Sequence, residues 1–237
     1  MEVRLHTHLP RLIVSMLLLI VPLAGCDKHA AEKEAIRDAY NRYAAAVAAR
    51  DGDTAAKLVS ADSLREVERT TRLALGASPS AVKAMNVTDR FEVFLARHLA
   101  AGDQGVIKQL GTLKGAELFA YQVKQGWGLD DPTVNVHLGS IRVTRTGAET
   151  DIISDGEKDP VPIYFTIEDG KWVRDLTQHQ RFDREFASFA RKNKISENDL
   201  IMLVIEEWTG RYPDEEEMWK APSPSASSFN GNPLLDN

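Results

Sequence analysis

Residues 164–176 read YFTIEDGKWVRDL, and the reading of this stretch decides the fold. Ile163, Phe165 and Ile167 alternate with polar residues, a period of two that marks a half-buried strand. Glu168-Asp169-Gly170-Lys171 follows as turn chemistry, because Asp-Gly tolerates the positive φ that a tight hairpin demands. Trp172, Arg174 and Leu176 then alternate in turn, so strands over 161–168 and 171–178 are expected to pair antiparallel. That register buries Trp172 on the concave side of a sheet, beside Ile163, Phe165 or Ile167. It also places Arg174 on the same apolar face. Either the arginine stem lies along apolar neighbours at the rim, or a bulge turns Val173 inward.

Working upstream, Val134, Val136 and Leu138 alternate, followed by Ile141 and Val143, with Gly139 as an expected bulge; 148–154 is a shorter strand. Before Pro132 the period is helical. Ile36, Tyr40, Tyr43 and Val47 form one stripe, and Asp51-Gly52-Asp53 breaks it, with Asp53 read as the next N-cap. Further helices are expected over 54–59, 64–75 and 89–101, while 104–126 reads as helix or strand. Downstream, Phe182, Phe186 and Phe189 recur at i, i+4, i+7, and a last helix starts at Ser196 with Asp199 three residues on, close to a capping box. Helices, then an antiparallel meander of about four strands, then helices make an α+β domain.

Two stretches carry a family resemblance: IRDAYNRYAAAVAARDGDTAAKLVSADS (36–63) and the hairpin above. Both look like the NTF2-like superfamily, in which an N-terminal helix with a small-residue, Gly-Asp break leads into a curved antiparallel sheet. The resemblance implies a cone with N-terminal helices packed on the sheet. The chain departs from it over 61–131, which holds too much helix, and in the helices after residue 178.

The N-terminus is a targeting segment. Arg4 and Arg11 precede the uncharged run Leu12–Leu23, roughly 18 Å as a helix and too short to span a bilayer core of about 30 Å. The run ends in Leu23-Ala24-Gly25-Cys26, which resembles the lipobox of bacterial lipoprotein precursors. The resemblance implies that residues 1–25 are a signal peptide, that the Cys26 thiol is lipidated, and that acyl chains such as palmitate tether the mature protein to a membrane. It implies a place in the cell envelope, facing the periplasm or exterior; Asp27 fits inner-membrane retention. Residues 26–30 are then a short linker, 31–220 one domain, and 221–237, rich in Pro, Ser and Asn, a disordered tail.

Of the 237 residues, 43% are apolar and 27% charged, which excludes a wholly disordered chain and a polytopic membrane protein. A net charge of −6 argues against a nucleic-acid surface. Cys26 is the single cysteine, so intramolecular disulfides and cysteine-based zinc sites are excluded. The remaining candidates for chemistry are thin. His29, His98, His137 and His179 show no metal-ligand spacing, and neither a metal nor a cofactor is expected. Enzymes of the resembling family, of isomerase and dehydratase type, place an acid or base in the cone mouth. Here the residues available for such a pocket are Tyr40, Tyr43, His137, Tyr164 and Asp175. The favoured reading is a non-enzymatic binding module for a partner protein or small apolar ligand. The alternatives are an enzyme in the cone, and an assembly component working through Trp208, Met218 and Trp219.

Overall fold

A computed structural model describes residues 29–127 and 136–222. The signal segment, Cys26, Asp27 and the tail beyond residue 222 lie outside the described residues. Seven helices come first: α1 (Ala30–Ala48), α2 (Gly52–Ala56), α3 (Ala61–Gly76), α4 (Pro79–Lys83), α5 (Val87–Ala100), α6 (Gln104–Thr112) and α7 (Gly115–Lys124). The ambiguous stretch 104–126 is therefore two helices. The stripe on α1 is real: Ile36, Ala39, Tyr40, Tyr43 and Val47 are all buried. Asp51, not Asp53, caps α2, its carboxylate accepting from the Thr54 amide at 3.1 Å. Asp53 is instead inside the helix and pairs with Lys124. The glycine between them lets two backbones meet: a Cβ on Gly52 would lie 2.1 Å from the Ala120 carbonyl oxygen of α7.

The strands follow as β1 (Val136–Val143), β2 (Ala148–Ser154), β3 (Glu157–Lys158), β4 (Ile163–Glu168) and β5 (Lys171–Asp175). They form an open antiparallel sheet in the order β1-β2-β4-β5, with the two-residue β3 on β2 as a fifth strand. The register shifts between Leu138 and Ile141, the bulge expected at Gly139. Asp169 and Gly170 both have positive φ, 49° and 71°, so the hairpin turn is of the primed kind that matches strand twist. The outer edge of β5 is also covered. Val59 pairs with Arg174 in parallel, and the Arg174 amide donates to Leu58 O at 2.8 Å. Ser63 Oγ accepts from the Leu176 amide, and the Glu168 carboxylate accepts from the Ala61 amide at the start of α3.

One face of the sheet packs on α1. Ile141, Ala148, Ile163 and Phe165 meet Ile36, Ala39 and Tyr40 in one buried cluster. Trp172 sits on this face opposite Ile167, but it is only half-buried, and Ile167 is 52% exposed. The expectation of a fully buried Trp172 is thus corrected. Trp172 packs against the margin of the α1 cluster and is not enclosed by it. Arg174 resolves its conflict without a bulge: its guanidinium lies 5.4 Å from the centre of the Tyr43 ring, a cation–π contact. Val173 is buried, but on the other face.

The second half of the core is helical and lies away from the sheet. There α8 (Gln180–Asn193), α9 (Glu197–Thr209) and α10 (Glu215–Trp219) gather on α5. Ser196 and Asp199 complete the capping box of α9, and Gly210 ends the helix in a left-handed conformation. Phe94 and Met218 are wholly buried, and the Trp219 ring stands edge-on to Phe94 at 4.9 Å. Arg97 is a charged residue inside this apolar setting, 3% exposed. It donates to Ala74 O, Ala77 O and Met218 O at 2.8–2.9 Å, tying together the ends of α3 and α10. Burial holds its pKa down to about 10.

Candidate functional site

The five residues proposed for a cone pocket do not converge. Tyr40 and Tyr43 are buried beneath the sheet on its α1 side. Tyr164 alternates with Ile163 and Phe165, which face α1, so it lies on the opposite face, and so does its cross-strand partner Asp175. His137 pairs with Ile153 on that same far face and is exposed on β1. The space on the α1 side is filled by Ile36, Tyr40, Ile141 and Phe165. Asp175 is occupied locally, accepting from the Thr177 amide and hydroxyl at 2.8 and 2.7 Å. Desolvation, with Glu149 nearby, raises the Tyr164 phenol above its ordinary range, so it remains a neutral hydroxyl. A base aimed at a shared reacting atom is absent from this set.

His98 is a core residue. It is buried, bonds Thr209 Oγ1 at 3.1 Å, and is held below its ordinary pKa by burial and by Arg211. Among the described residues, no group of three or more acidic, histidine or cysteine side chains is arranged to hold a metal. Nor is any described helix long and apolar enough to cross a membrane.

A groove of about 480 Å³ lies instead between α8, α9 and the loop before β4. Its walls are apolar: Phe182, Phe186 and Phe189 from α8, Leu200 and Val204 from α9, and Val161 from the loop. The phenylalanine stripe read from the sequence is therefore divided. Phe186 is buried and Phe182 half-buried in the core, whereas Phe189 is 55% exposed. The buried side of α8 is centred between Phe186 and Ala190, and Phe189 stands about 60° round the helix from the first and about 100° from the second, on the flank. Leu203, the neighbour of Val204, is 46% exposed, and Glu185 and Lys192 put one charge of each sign on the lining. Sequence patterning signalled the α8 wall of this groove. It also marked Leu200 and Val204 as apolar positions of the last helix, but that they stand opposite α8, with Val161 beside them on the lining, only the tertiary fold shows.

Of the three aromatic and sulfur side chains noted near the C-terminus, two are structural. Met218 is buried, and Trp219 is half-buried on Phe94. Trp208 is 49% exposed, yet it keeps an edge contact with Phe91 at 5.2 Å. Compared with known protein families, curated proteins and solved structures, the chain matches none.

Proposed function

We propose that the protein is a lipid-anchored envelope lipoprotein whose domain, a divergent relative of the NTF2-like cone, is a binding module without catalytic activity. Its site is the α8–α9 groove, and its occupant is an apolar segment of a partner protein. The observation that carries this reading is the exposure of Phe189 on the wall of an apolar trough, on a domain whose sheet-side space is already filled. Exposed large apolar side chains grouped around a groove mark interaction surfaces. The trough runs open along two helices, a shape suited to a peptide more than to an enclosed small molecule. The lipid anchor at Cys26, with the membrane choice leaning to the inner membrane through Asp27, would hold the groove close to envelope partners.

The test uses the full chain in a bacterial host, with a photocrosslinking residue at Phe189 and a control at Thr166 on the sheet. The expected result is a discrete crosslinked protein at Phe189 that Val204→Asp, on the opposite wall, abolishes while the control stays clean. Crosslinking to lipid alone would replace the peptide with a small apolar ligand. No groove-dependent adduct at all would overturn the proposal.

A further inference from the structure

The α8 wall of the groove is built so that it can match a copy of itself. Glu185, Ser188, Phe189 and Lys192 all stand on the lining. They recur at i, i+3, i+4 and i+7, so they share one face of α8. That face is centred about 130° round the helix from the buried side at Phe186 and Ala190. Its two ends carry opposite charges, Glu185 towards the start of the helix and Lys192 towards its end. They lie roughly 10 Å apart along the helix, too far to pair with each other. Among the described residues neither has an ion pair or a hydrogen bond. Between them lie a small residue, Ser188, and the exposed ring of Phe189.

We infer that this face receives a second copy of the chain, the α8 helices of the two copies crossing antiparallel about a two-fold axis that passes between Ser188 and Phe189. The inference rests on the groove reading and names the partner. In this register Glu185 and Lys192 each lie about 5 Å from the axis along the helix, on opposite sides of it. Glu185 of each copy therefore faces Lys192 of the other, and the two-fold makes the pairing twice. A parallel pairing would set Glu185 on Glu185 and Lys192 on Lys192, which repels at both places. Antiparallel helices also bring the opposite ends of their dipoles together. Phe189 of one copy meets Ser188 of the other, whose small side chain leaves room for the ring to enter the trough towards Leu200 and Val204. One symmetry operation thus covers both exposed rings and gives every charge on the lining a partner. The strip offered by α8 and α9 is about 20 Å long and roughly 20 Å wide. That is the small end of specific interfaces, so the pairing is reversible in solution. Under the proposed anchoring both copies share one membrane surface, and this confinement raises their effective concentration.

The experiment expresses the full chain in a bacterial host with an aromatic photocrosslinking residue at Phe189 and one epitope tag, beside a copy that bears a second tag. We expect an adduct of twice the chain's mass that carries both tags. Glu185→Lys in both copies should cut its yield about three- to tenfold, and Lys192→Glu in both copies should do the same, because each sets like charges opposite one another at two places. Glu185→Lys in one copy with Lys192→Glu in the other should restore the adduct, a recovery that a misfolded variant cannot give. A doubly tagged adduct indifferent to both charge reversals overturns the inference, and so does one that the mixed pair fails to restore. An adduct at Phe189 to a different protein, with no doubly tagged species, overturns the second copy and leaves the groove reading standing. The absence of any protein adduct at Phe189 overturns both.

Discussion

Replacing Arg97 by Met should cost the domain about 3–4 kcal/mol, and the reasoning is open to a direct check. The guanidinium makes three hydrogen bonds, all to backbone carbonyls in a buried site. Two of these carbonyls, Ala74 O and Ala77 O, belong to the C-terminal end of α3, where the last carbonyls lack intrahelical donors. That end has no basic residue in its own last turn, and its C-cap residue Ala77 is extended, so Arg97 supplies the cap from another helix. Each buried carbonyl left without a donor costs roughly 1–3 kcal/mol, which gives a gross loss of about 3–9. Two effects reduce it. The methionine stem recovers some of the packing, and removing a cation whose pKa burial has lowered to about 10 relieves a desolvation penalty. A lysine ammonium in the same place could reach only some of the three acceptors, so Arg97→Lys should fall about midway. Urea unfolding monitored by circular dichroism gives the free energies. Trp219 emission, red-shifted as α10 loses its Met218 tie, gives the site. A free-energy loss under about 1 kcal/mol for Arg97→Met would refute the capping argument.

The remaining predictions are simpler. Gly52→Ala should destabilise by about 2–4 kcal/mol, because its Cβ meets the Ala120 carbonyl at 2.1 Å and both partners are backbone; an unchanged melting temperature would mean that α2 and α7 cross farther apart. Trp172→Ala should cost about 1.5–3 kcal/mol, less than a fully buried tryptophan, since the ring is half-buried at the hairpin end; urea unfolding that matches the parent would show the ring to be free of the sheet. Cys26→Ser should block labelling by a fatty-acid analogue and leave the chain unprocessed; equal labelling of the two forms would count decisively against the lipobox. Deleting residues 223–237 should leave the melting temperature within about 2 °C, and a larger drop would show Phe229 or Leu234-Leu235 contributing to the fold.

Legibility followed the range of the interactions. Local patterns were readable: the Asp169-Gly170 turn, the bulge at Gly139, the Ser196 capping box and the stripe on α1 each depend on a few consecutive residues. The Asp51 cap was missed by two positions because Asp51 and Asp53 both offer a suitable oxygen, and only the backbone path distinguishes them. Residues 104–126 were ambiguous since Gly105, Gly111 and Gly115 interrupt the period. The candidate site was less legible. Alternation does place Tyr164 and His137 away from Ile163 and Leu138, but it cannot say on which face α1 will lie. Arg97 had a signal that went unread: a charged residue set between Phe94 and Leu99 on a helix otherwise fit for a core. The resolution of Arg174 by the Tyr43 ring required two segments more than a hundred residues apart to be placed together.

That same separation governs how the domain can fold. The pairing of Val59 with Arg174, and the bond from Leu176 to Ser63 across 113 positions, close a loop that holds about half of the chain. Closing such a loop costs entropy before its contacts repay it, so folding that depends on it is slow. The start of α3 cannot reach its final surroundings until the last strand exists, and an incomplete chain leaves the edge between α3 and β5 open. Under the proposed export, this delay is an asset, because a secretory channel passes unfolded chains. It also makes the region around β5 the point where a chaperone that holds the nascent protein would have most to shield.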